Sequence, residues 1–185
     1  ELATLSLNDT AVVVGAGMIG LFVIQVLRAR GCGKIIAVDL DVDKLALAMK
    51  LGADLGLHPQ QSDVAAEVRA LTGGRGADLS FEVVGNSAAL LTAIACVRRG
   101  ATVTLVGNLS PTAEIPLQEV VTQQLRLQGS CAICGEYPAV LDMMARKEVN
   151  VDAILSAEVP LSEGADWFRR LNDKEPGLIK VVLKP

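Results

Sequence analysis

Aromatic residues are scarce in this chain: they make up 3% of its 185 residues, whereas hydrophobic residues of all kinds make up 51%. The core must therefore be built from Val, Leu, Ile and Ala, as in parallel sheets that are covered by helices on both faces. The length fits one domain with an appendage, because a typical domain has roughly 150 residues. The composition favours an α/β fold.

Long apolar segments and basic clusters are also missing. The 17 basic and 21 acidic residues are interspersed and give a formal charge of −4, so no surface is expected to follow a nucleic-acid backbone. No stretch reaches the roughly 18 apolar residues of a membrane span, and residues 1–4 lack the features of a signal peptide. We therefore predict a cytoplasmic protein without nucleic-acid or membrane partners. Residue 1 is Glu1 rather than Met, which favours a processed chain or part of a longer one.

Short β-branched runs alternate with helix-length segments along most of the chain. This alternation predicts βαβ units in a doubly wound parallel sheet with helices on both faces. The predicted strands are residues 11–14, 35–38, 55–57, 79–84 and 102–106. The predicted helices start near Ile19, after a cap at Asp41, at Ser62 and after a cap at Asn86; the last of these is closed by residues 98–100, and the third buries Val64, Ala65, Val68 and Leu71.

The pattern becomes looser after the fifth strand. Residues 117–124 and 137–146 are predicted as helices, and residues 125–128 as a strand between them. Residues 154–159 and 178–183 read as strands on either side of a helix at 162–171. We therefore expect a nucleotide-binding domain over residues 1–150, followed by a tail over residues 151–185 that completes this domain or contacts another one.

A glycine-rich turn follows the first predicted strand and opens the first helix. Gly15, Gly17 and Gly20 form the G-x-G-x-x-G pattern of the Rossmann dinucleotide-binding turn. The first glycine permits the tight turn, the second removes a side chain that would block a pyrophosphate, and the third lets helix and strand approach closely. The free N–H groups at the helix start, at Met18 and Ile19, then face the phosphates.

An acidic residue follows the second predicted strand at the position that this turn requires. Asp39 lies 19 residues after Gly20, where a carboxylate accepts hydrogen bonds from the adenosine ribose hydroxyls. An ionised Asp39 also repels a 2′-phosphate, and no pair of arginines follows it. These residues predict NAD as the cofactor, in preference to NADP.

Beyond this motif, the chain resembles the cofactor domain of zinc-dependent medium-chain alcohol and polyol dehydrogenases, with sorbitol-type enzymes the most similar. The matching segments are residues 14–21, 38–40, 52–54, 81–85, 100–103, 105–107, 127–130 and 179–183. Their succession in family order covers nearly the whole chain. The resemblance implies a homodimer, joined through residues 120–129, that oxidises a secondary alcohol or polyol to a ketone.

The resemblance also implies further cofactor contacts. On the adenosine side these are Leu40 beside Asp39, Lys44 near the ribose, Val84 against the ribose and Asn86 beside the adenine. On the nicotinamide side they are Val106, Gly107 and the backbone of Ser130 and Ala132. Lys180 matches a basic residue that reaches the pyrophosphate, provided that the tail folds back.

The zinc site of the family lies in a catalytic domain that precedes the cofactor domain, and this sequence has only ten residues before its first predicted strand. His58, the sole histidine, follows the third strand and is interpreted as structural. Cys131 and Cys134 have the spacing of half a zinc site or a redox pair, but no second pair or flanking histidine accompanies them. We therefore predict reduced thiols that pack near the cofactor pocket, no metal ligand and no catalytic residue in this chain.

Two other classes of protein fit the glycine turn less well, and one remains open. A short-chain dehydrogenase needs Tyr and Lys four residues apart, but the residue four after Tyr137 is Leu141. A methyltransferase is disfavoured by the family segments after Val84. The open alternative is a stand-alone module that senses NAD(H) without catalysis. Because the resemblance places the zinc elsewhere, we expect this chain alone to bind NADH and to catalyse nothing.

Overall fold

The computed structural model describes residues 2–185 and is organised around a six-stranded parallel sheet. The strands are β1 (Thr10–Val14), β2 (Lys34–Val38), β3 (Leu55–Leu57), β4 (Ala77–Glu82), β5 (Val97–Leu105) and β6 (Arg126–Gly129). Their order in the sheet is β3-β2-β1-β4-β5-β6. The direction of winding reverses between β1 and β4, and ligands of such sheets bind at this switch point, outside the carboxyl ends of the strands.

Helices cover both faces of this sheet. The covering helices are α1 (Met18–Ala29), α2 (Val42–Lys50), α3 (Val64–Leu71) and α4 (Ser87–Ala95). Two further helices, α5 (Leu117–Thr122) and α6 (Tyr137–Ala145), bury no residue. Alternate residues of β1 point to opposite faces: Val13 joins a core with α1 and α2, and Val12 joins a second core with α3 and α4. The predicted doubly wound α/β fold is confirmed.

The tail forms a separate βαβ unit. It contains β7 (Leu155–Pro160), a short 3₁₀ turn (Leu161–Glu163), α7 (Gly164–Asn172) and β8 (Lys180–Lys184), and its two strands pair in parallel. Ile154 is buried in the core beneath α1, and Ile179 packs against the same cluster. The buried Gln25 of α1 accepts a hydrogen bond from Asn150 N–H at 2.6 Å and donates to its carbonyl at 3.3 Å. The tail therefore folds back onto the domain.

Several predicted boundaries were wrong. Helix α4 ends at Ala95, and Arg98 belongs to β5, because Val97 already pairs with Ala77 of β4. Strand β4 ends at Glu82 rather than Val84, and α3 begins at Val64. Leu71, predicted to be buried, is 39% exposed at the end of α3. Within residues 2–185 we find no helix whose length and apolar character would let it cross a lipid bilayer.

Candidate functional site at the carboxyl edge of the sheet

The glycine turn after β1 adopts the conformation that its sequence demands. Gly15 has φ = +105°, a region that favours glycine, and its N–H donates to the Val38 carbonyl at 2.8 Å. A Cβ on Gly15 would lie 2.9 Å from the Val84 side chain. The turn is therefore packed between the ends of β2 and β4.

The other two glycines of the motif have opposite surroundings. A Cβ on Gly20 would lie 1.8 Å from the Gly15 carbonyl oxygen, so α1 and the turn touch through their backbones. A Cβ on Gly17 would meet nothing within 4 Å. Gly17 is also the N-cap of α1, and no side chain caps this helix. The helix start, with Met18 and Ile19, therefore faces open space, as an anion-binding turn requires.

Asp39 connects this turn to the start of α2. One carboxylate oxygen accepts from Ala16 N–H at 2.6 Å, and the other accepts from Asp41 N–H at 3.0 Å. A carboxylate offers about four acceptor positions, so each oxygen keeps one for a hydroxyl donor. Asp39 therefore both shapes the glycine turn and remains able to bind a ribose.

The residues that follow Asp39 surround the same corner. Leu40 is 60% exposed. Asp41 caps α2 by accepting from the N–H groups of Asp43 and Lys44, and the Lys44 ammonium lies 3.5 Å from the Asp41 carboxylate. The ion pair holds Lys44 one helical turn from Asp41, a partner that the sequence analysis did not assign.

The end of β4 holds a buried carboxylate that the sequence analysis missed as a site residue. Glu82 is only 3% exposed. Its side chain accepts from Val84 N–H at 2.8 Å and from Gly85 N–H at 2.7 Å, and its carbonyl accepts from Val106 and Gly107. Glu82 therefore fixes both turns beyond β4 and β5. A charged residue inside an otherwise apolar strand was the signal for it.

The turns beyond β4 and β5 meet backbone to backbone. A Cβ on Gly107 would lie 2.1 Å from Gly85 N, and one on Gly85, where φ = +89°, would lie 2.3 Å from Leu109 N. Ser110 N–H donates to the Gly85 carbonyl at 2.8 Å. These contacts place Val84, Val106 and Gly107 together beside the glycine turn.

The remaining predicted site residues lie at the rim. Asn86 caps α4 by accepting from Ala89 N–H at 2.9 Å, as the sequence predicted, so its carboxamide oxygen is engaged. Ser130 follows β6, and its N–H donates to the Leu105 carbonyl at 2.9 Å; Ala132 has φ = +53°. Lys180 of β8 and Met18 of α1 line the same cavity of about 270 Å³. The folded-back tail thus brings Lys180 to the start of α1.

With this geometry in place, similarity to known proteins is informative. The family model described as "Zinc-binding dehydrogenase" matches residues 19–146. The chain belongs to this family.

Relatives extend the zinc-binding dehydrogenase match to the whole chain. Sorbitol dehydrogenase of Bacillus subtilis is 30% identical over 96% of this chain and 51% of its own length. (R,R)-Butanediol dehydrogenase of Neisseria gonorrhoeae is 29% identical over 96% of this chain and 51% of its own length. The solved structure of 2R,3R-butanediol dehydrogenase from Bacillus subtilis aligns with a TM-score of 0.90 at 31% identity, over 99% of this chain and 52% of that one. The chain spans about half the length of the curated relatives it matches.

Zinc, which the family name implies, does not fit the residues described here. Residues 2–185 contain no group of three or more His, Cys, Asp and Glu side chains that could hold a metal ion. His58 lies in the loop after β3, where its Nδ1 accepts from Gln60 N–H at 3.2 Å in a local turn.

The prediction that Cys131 and Cys134 are packed thiols was wrong, because both are exposed. The thiols are free; Cys32 and Cys96 are buried, but Cys131 and Cys134 are exposed. Burial raises the pKa of Cys96 to about 12. The exposed pair lies between β6 and α6, where no helix or strand covers it.

Proposed function

We propose that this chain is the NAD(H)-binding portion of a zinc-dependent medium-chain dehydrogenase that oxidises a secondary alcohol or polyol to a ketone. The single observation that carries the proposal is the open space at Gly17, bounded by an uncapped helix start and by the Asp39 carboxylate. The relatives named above, a sorbitol and a butanediol dehydrogenase, support the substrate class. NAD accepts the hydride when it is bound.

The chain's own residues hold the cofactor in this proposal. The N–H groups of the first turn of α1 bind the pyrophosphate, with Lys180 approaching from the tail, and Asp39 accepts from the ribose hydroxyls. Leu40, Lys44, Val84 and Asn86 surround the adenosine. Val106, Gly107, Ser130 and Ala132 line the nicotinamide side. Residues 1–150 form the binding domain, and residues 151–185 complete it.

Paired glycine variants test the pyrophosphate site. Gly17→Ala keeps the fold, because its new Cβ meets open space, but it weakens NADH binding about tenfold or more by blocking the pyrophosphate. Gly20→Ala is the matched control: its Cβ meets the Gly15 carbonyl, so it lowers the free energy of unfolding by about 1–3 kcal/mol. Urea unfolding measures the stability of each variant, and titration measures its affinity for NADH. NADH affinity that is unchanged in a folded Gly17→Ala protein would overturn the proposal.

Cofactor choice depends on Asp39. The unmodified chain should prefer NADH over NADPH, since the carboxylate repels a 2′-phosphate. Asp39→Asn removes that negative charge and should lower the ratio of NADH affinity to NADPH affinity. It should also weaken NADH binding by about 1–3 kcal/mol. Titration with both cofactors measures the ratio. A chain that binds NADPH more tightly than NADH would show the assignment of Asp39 to be wrong.

Catalysis separates this function from that of a stand-alone NAD(H) sensor. We expect the purified chain to bind NADH and to show no alcohol oxidation with added zinc, because residues 2–185 present no ligand cluster for the metal. A longer gene product with a Cys- and His-bearing domain should oxidise secondary alcohols in a substrate panel. Oxidation confined to primary alcohols would count against the polyol class, and a gene without such a domain would favour the sensor.

We further propose that copies of this chain associate as a homodimer. Strand β6 is the edge of the sheet, and its outer N–H and C=O groups are available for pairing. The large apolar side chains that are more than half exposed after β5 include Leu117, Val121, Tyr137, Leu141, Leu161 and Phe168. Light scattering at micromolar concentration, on the whole chain and on one ending near Val149, tests this. A dimer that survives truncation assigns the contact to the sheet edge, and a monomeric whole chain refutes it.

A further inference from the structure

Four cysteines divide into two environments in this molecule. Cys32 and Cys96 are buried in the two cores, whereas Cys131 and Cys134 are exposed three residues apart in the loop between β6 and α6. Burial raises the pKa of both core thiols. Because the thiolate is the reactive form, oxidation should be confined to the exposed pair.

The loop that carries the exposed pair is already curved. Ala132, between the two cysteines, has φ = +53°, and Gly135 has φ = +91°. A left-handed conformation costs a residue other than glycine about 1–2 kcal/mol, and the chain bends at Ala132. Beyond the bend, Cys134 N–H donates to the Glu136 carboxylate at 2.6 Å, which fixes the far end of the loop at the start of α6.

A bend of this kind shortens the distance between the Cα atoms of the two cysteines. Residues three apart can span about 10 Å when they are extended, whereas a disulfide needs Cα atoms about 4.4–6.8 Å apart. A bend at the intervening residue brings the pair towards that range. Closing the bond still has to fix the loop in one conformation, so its formation and the shape of the loop are coupled.

We propose that Cys131 and Cys134 form a reversible dithiol–disulfide site whose oxidation re-sets this loop. A small-molecule disulfide such as oxidised glutathione supplies the oxidant. One thiolate attacks a sulfur of that disulfide, forming a mixed disulfide and releasing one thiolate of the reagent. The second cysteine thiolate then attacks the protein sulfur and releases the other. Two cysteine thiols are oxidised to one disulfide, two reagent thiols are formed, and the two cysteine protons pass to them.

The site also bears on cofactor binding, and this part rests on the proposed function. Ser130 and Ala132, whose backbones are assigned to the nicotinamide side, are the immediate neighbours of Cys131. The Ser130 N–H donates a hydrogen bond to the carbonyl of Leu105, the last residue of β5. This bond holds one end of the loop in place. Closing the disulfide therefore moves Ala132 relative to a fixed Ser130. We expect the oxidised form to bind NADH about fivefold or more weakly than the reduced form.

The first experiment measures the bond itself, without any cofactor. The whole chain is equilibrated in glutathione buffers from reducing to oxidising, alkylated, and analysed by peptide mass spectrometry. We expect one disulfide within the peptide that spans residues 131–134, alkylation of that pair in reducing buffer, and faster amide exchange at residues 130–136 in one redox form than in the other. Cys32 and Cys96 serve as buried controls. Reduced thiols at both exposed positions in every buffer, or only mixed or intermolecular disulfides, would overturn the proposal.

The second experiment measures coupling to the cofactor. NADH affinity is titrated by fluorescence in reducing and oxidising buffer, for the unmodified chain and for the double variant Cys131→Ser, Cys134→Ser. The unmodified chain should lose affinity on oxidation and regain it on reduction, while the variant should bind equally in both. Equal affinity of both forms of the unmodified chain would refute the coupling. Absence of NADH binding in the reduced chain would refute the proposed function instead, while the mass measurement still decides the disulfide.

Discussion

The parts of the chain before and after the end of β5 are built differently. Among residues 2–185, the buried hydrophobic side chains lie between Ala11 and Val103, apart from Val149, Ile154 and Val159. Helices α1 to α4 each bury between two and five residues. Helices α5 and α6 bury none. The first part thus supplies its own core, whereas the second part leaves apolar side chains uncovered.

The contrast shows where folding energy and binding capacity reside. Side chains buried between sheet and helices contribute about 1.5–3 kcal/mol each, so the first part determines stability. The second part joins it through the pairing of β6 with β5 and through contacts of the tail, such as Gln25 with Asn150 and Ile154 with the core beneath α1. Several of its large apolar side chains, such as Leu141 and Phe168, are more than half exposed.

The largest expected effect tests this division directly. Ile36 on β2 is fully buried, and Ile36→Ala should lower the free energy of unfolding by about 2–5 kcal/mol because it leaves a cavity. Leu141 on α6 is 56% exposed, and Leu141→Ala should change the free energy of unfolding by about 0.5 kcal/mol or less. Urea denaturation of both variants measures the difference. Equal losses would mean that α6 is covered in solution.

A smaller effect concerns a buried carboxylate at the amino edge of the sheet. Asp78 accepts from Thr10 N–H at 2.9 Å and from Arg98 at 2.7 Å, and Arg75 lies at 3.4 Å. Burial raises the pKa of Asp78, but the Thr10 hydrogen bond and the two guanidinium groups outweigh it and hold that pKa below its ordinary value of 3.8. Asp78→Asn should cost about 2 kcal/mol of stability at pH 7.

The pH dependence of stability follows from that depressed pKa. The unfolded chain binds the proton more tightly than the folded chain does, so the contribution of Asp78 is complete above about pH 4 and declines as pH falls through the folded pKa. Asp78→Asn should therefore flatten the acid side of the stability curve. Glu148→Gln, which breaks an exposed ion pair with Arg146, is the control and should leave the curve nearly unchanged. If stability declined equally with falling pH in Asp78→Asn and in the unmodified chain, this prediction would be wrong.

The smallest effect concerns the link between the two parts. Gln25→Met keeps the length of the side chain but removes both hydrogen bonds to Asn150, so we expect a loss of about 1 kcal/mol. Proteolysis should also become faster around residues 147–153, before any change in α1 to α4. Gln118→Met on exposed α5 is the matched control. Cleavage at equal rates in both variants would show that Gln25 does not anchor the tail.

Much of the fold was predictable because its signals are local. The alternation of short apolar runs with amphipathic segments predicted the parallel sheet, and the glycine turn with Asp39 predicted the edge at which the candidate site lies. Both signals depend on residues within one βαβ unit. The caps at Asp41 and Asn86 were equally local, and the structure confirms both.

The predictions that were wrong or missed concern residues whose surroundings depend on parts of the chain that are distant in the sequence. The extension of β5 back to Val97 follows from its backbone pairing with Ala77 of β4, which lies far away in the sequence. The role of Glu82 requires β5 beside β4, and no pattern in the sequence states how their ends meet. The exposure of Cys131 and Cys134 was missed because their apolar-looking segment has no element packed over it.

The contact between Gly85 and Gly107 has a consequence for motion. With no side chain between the two backbones and with Glu82 hydrogen-bonded to both turns, the ends of β4 and β5 cannot hinge separately. If the cleft widens, the turns after β4 and β5 must therefore move together as one rigid unit. The opposite wall, formed by the glycine turn, is bonded to Asp39 and is equally stiff. We therefore expect a bound molecule to enter and leave at the rim, past the loop after β6 and the tail strand β8.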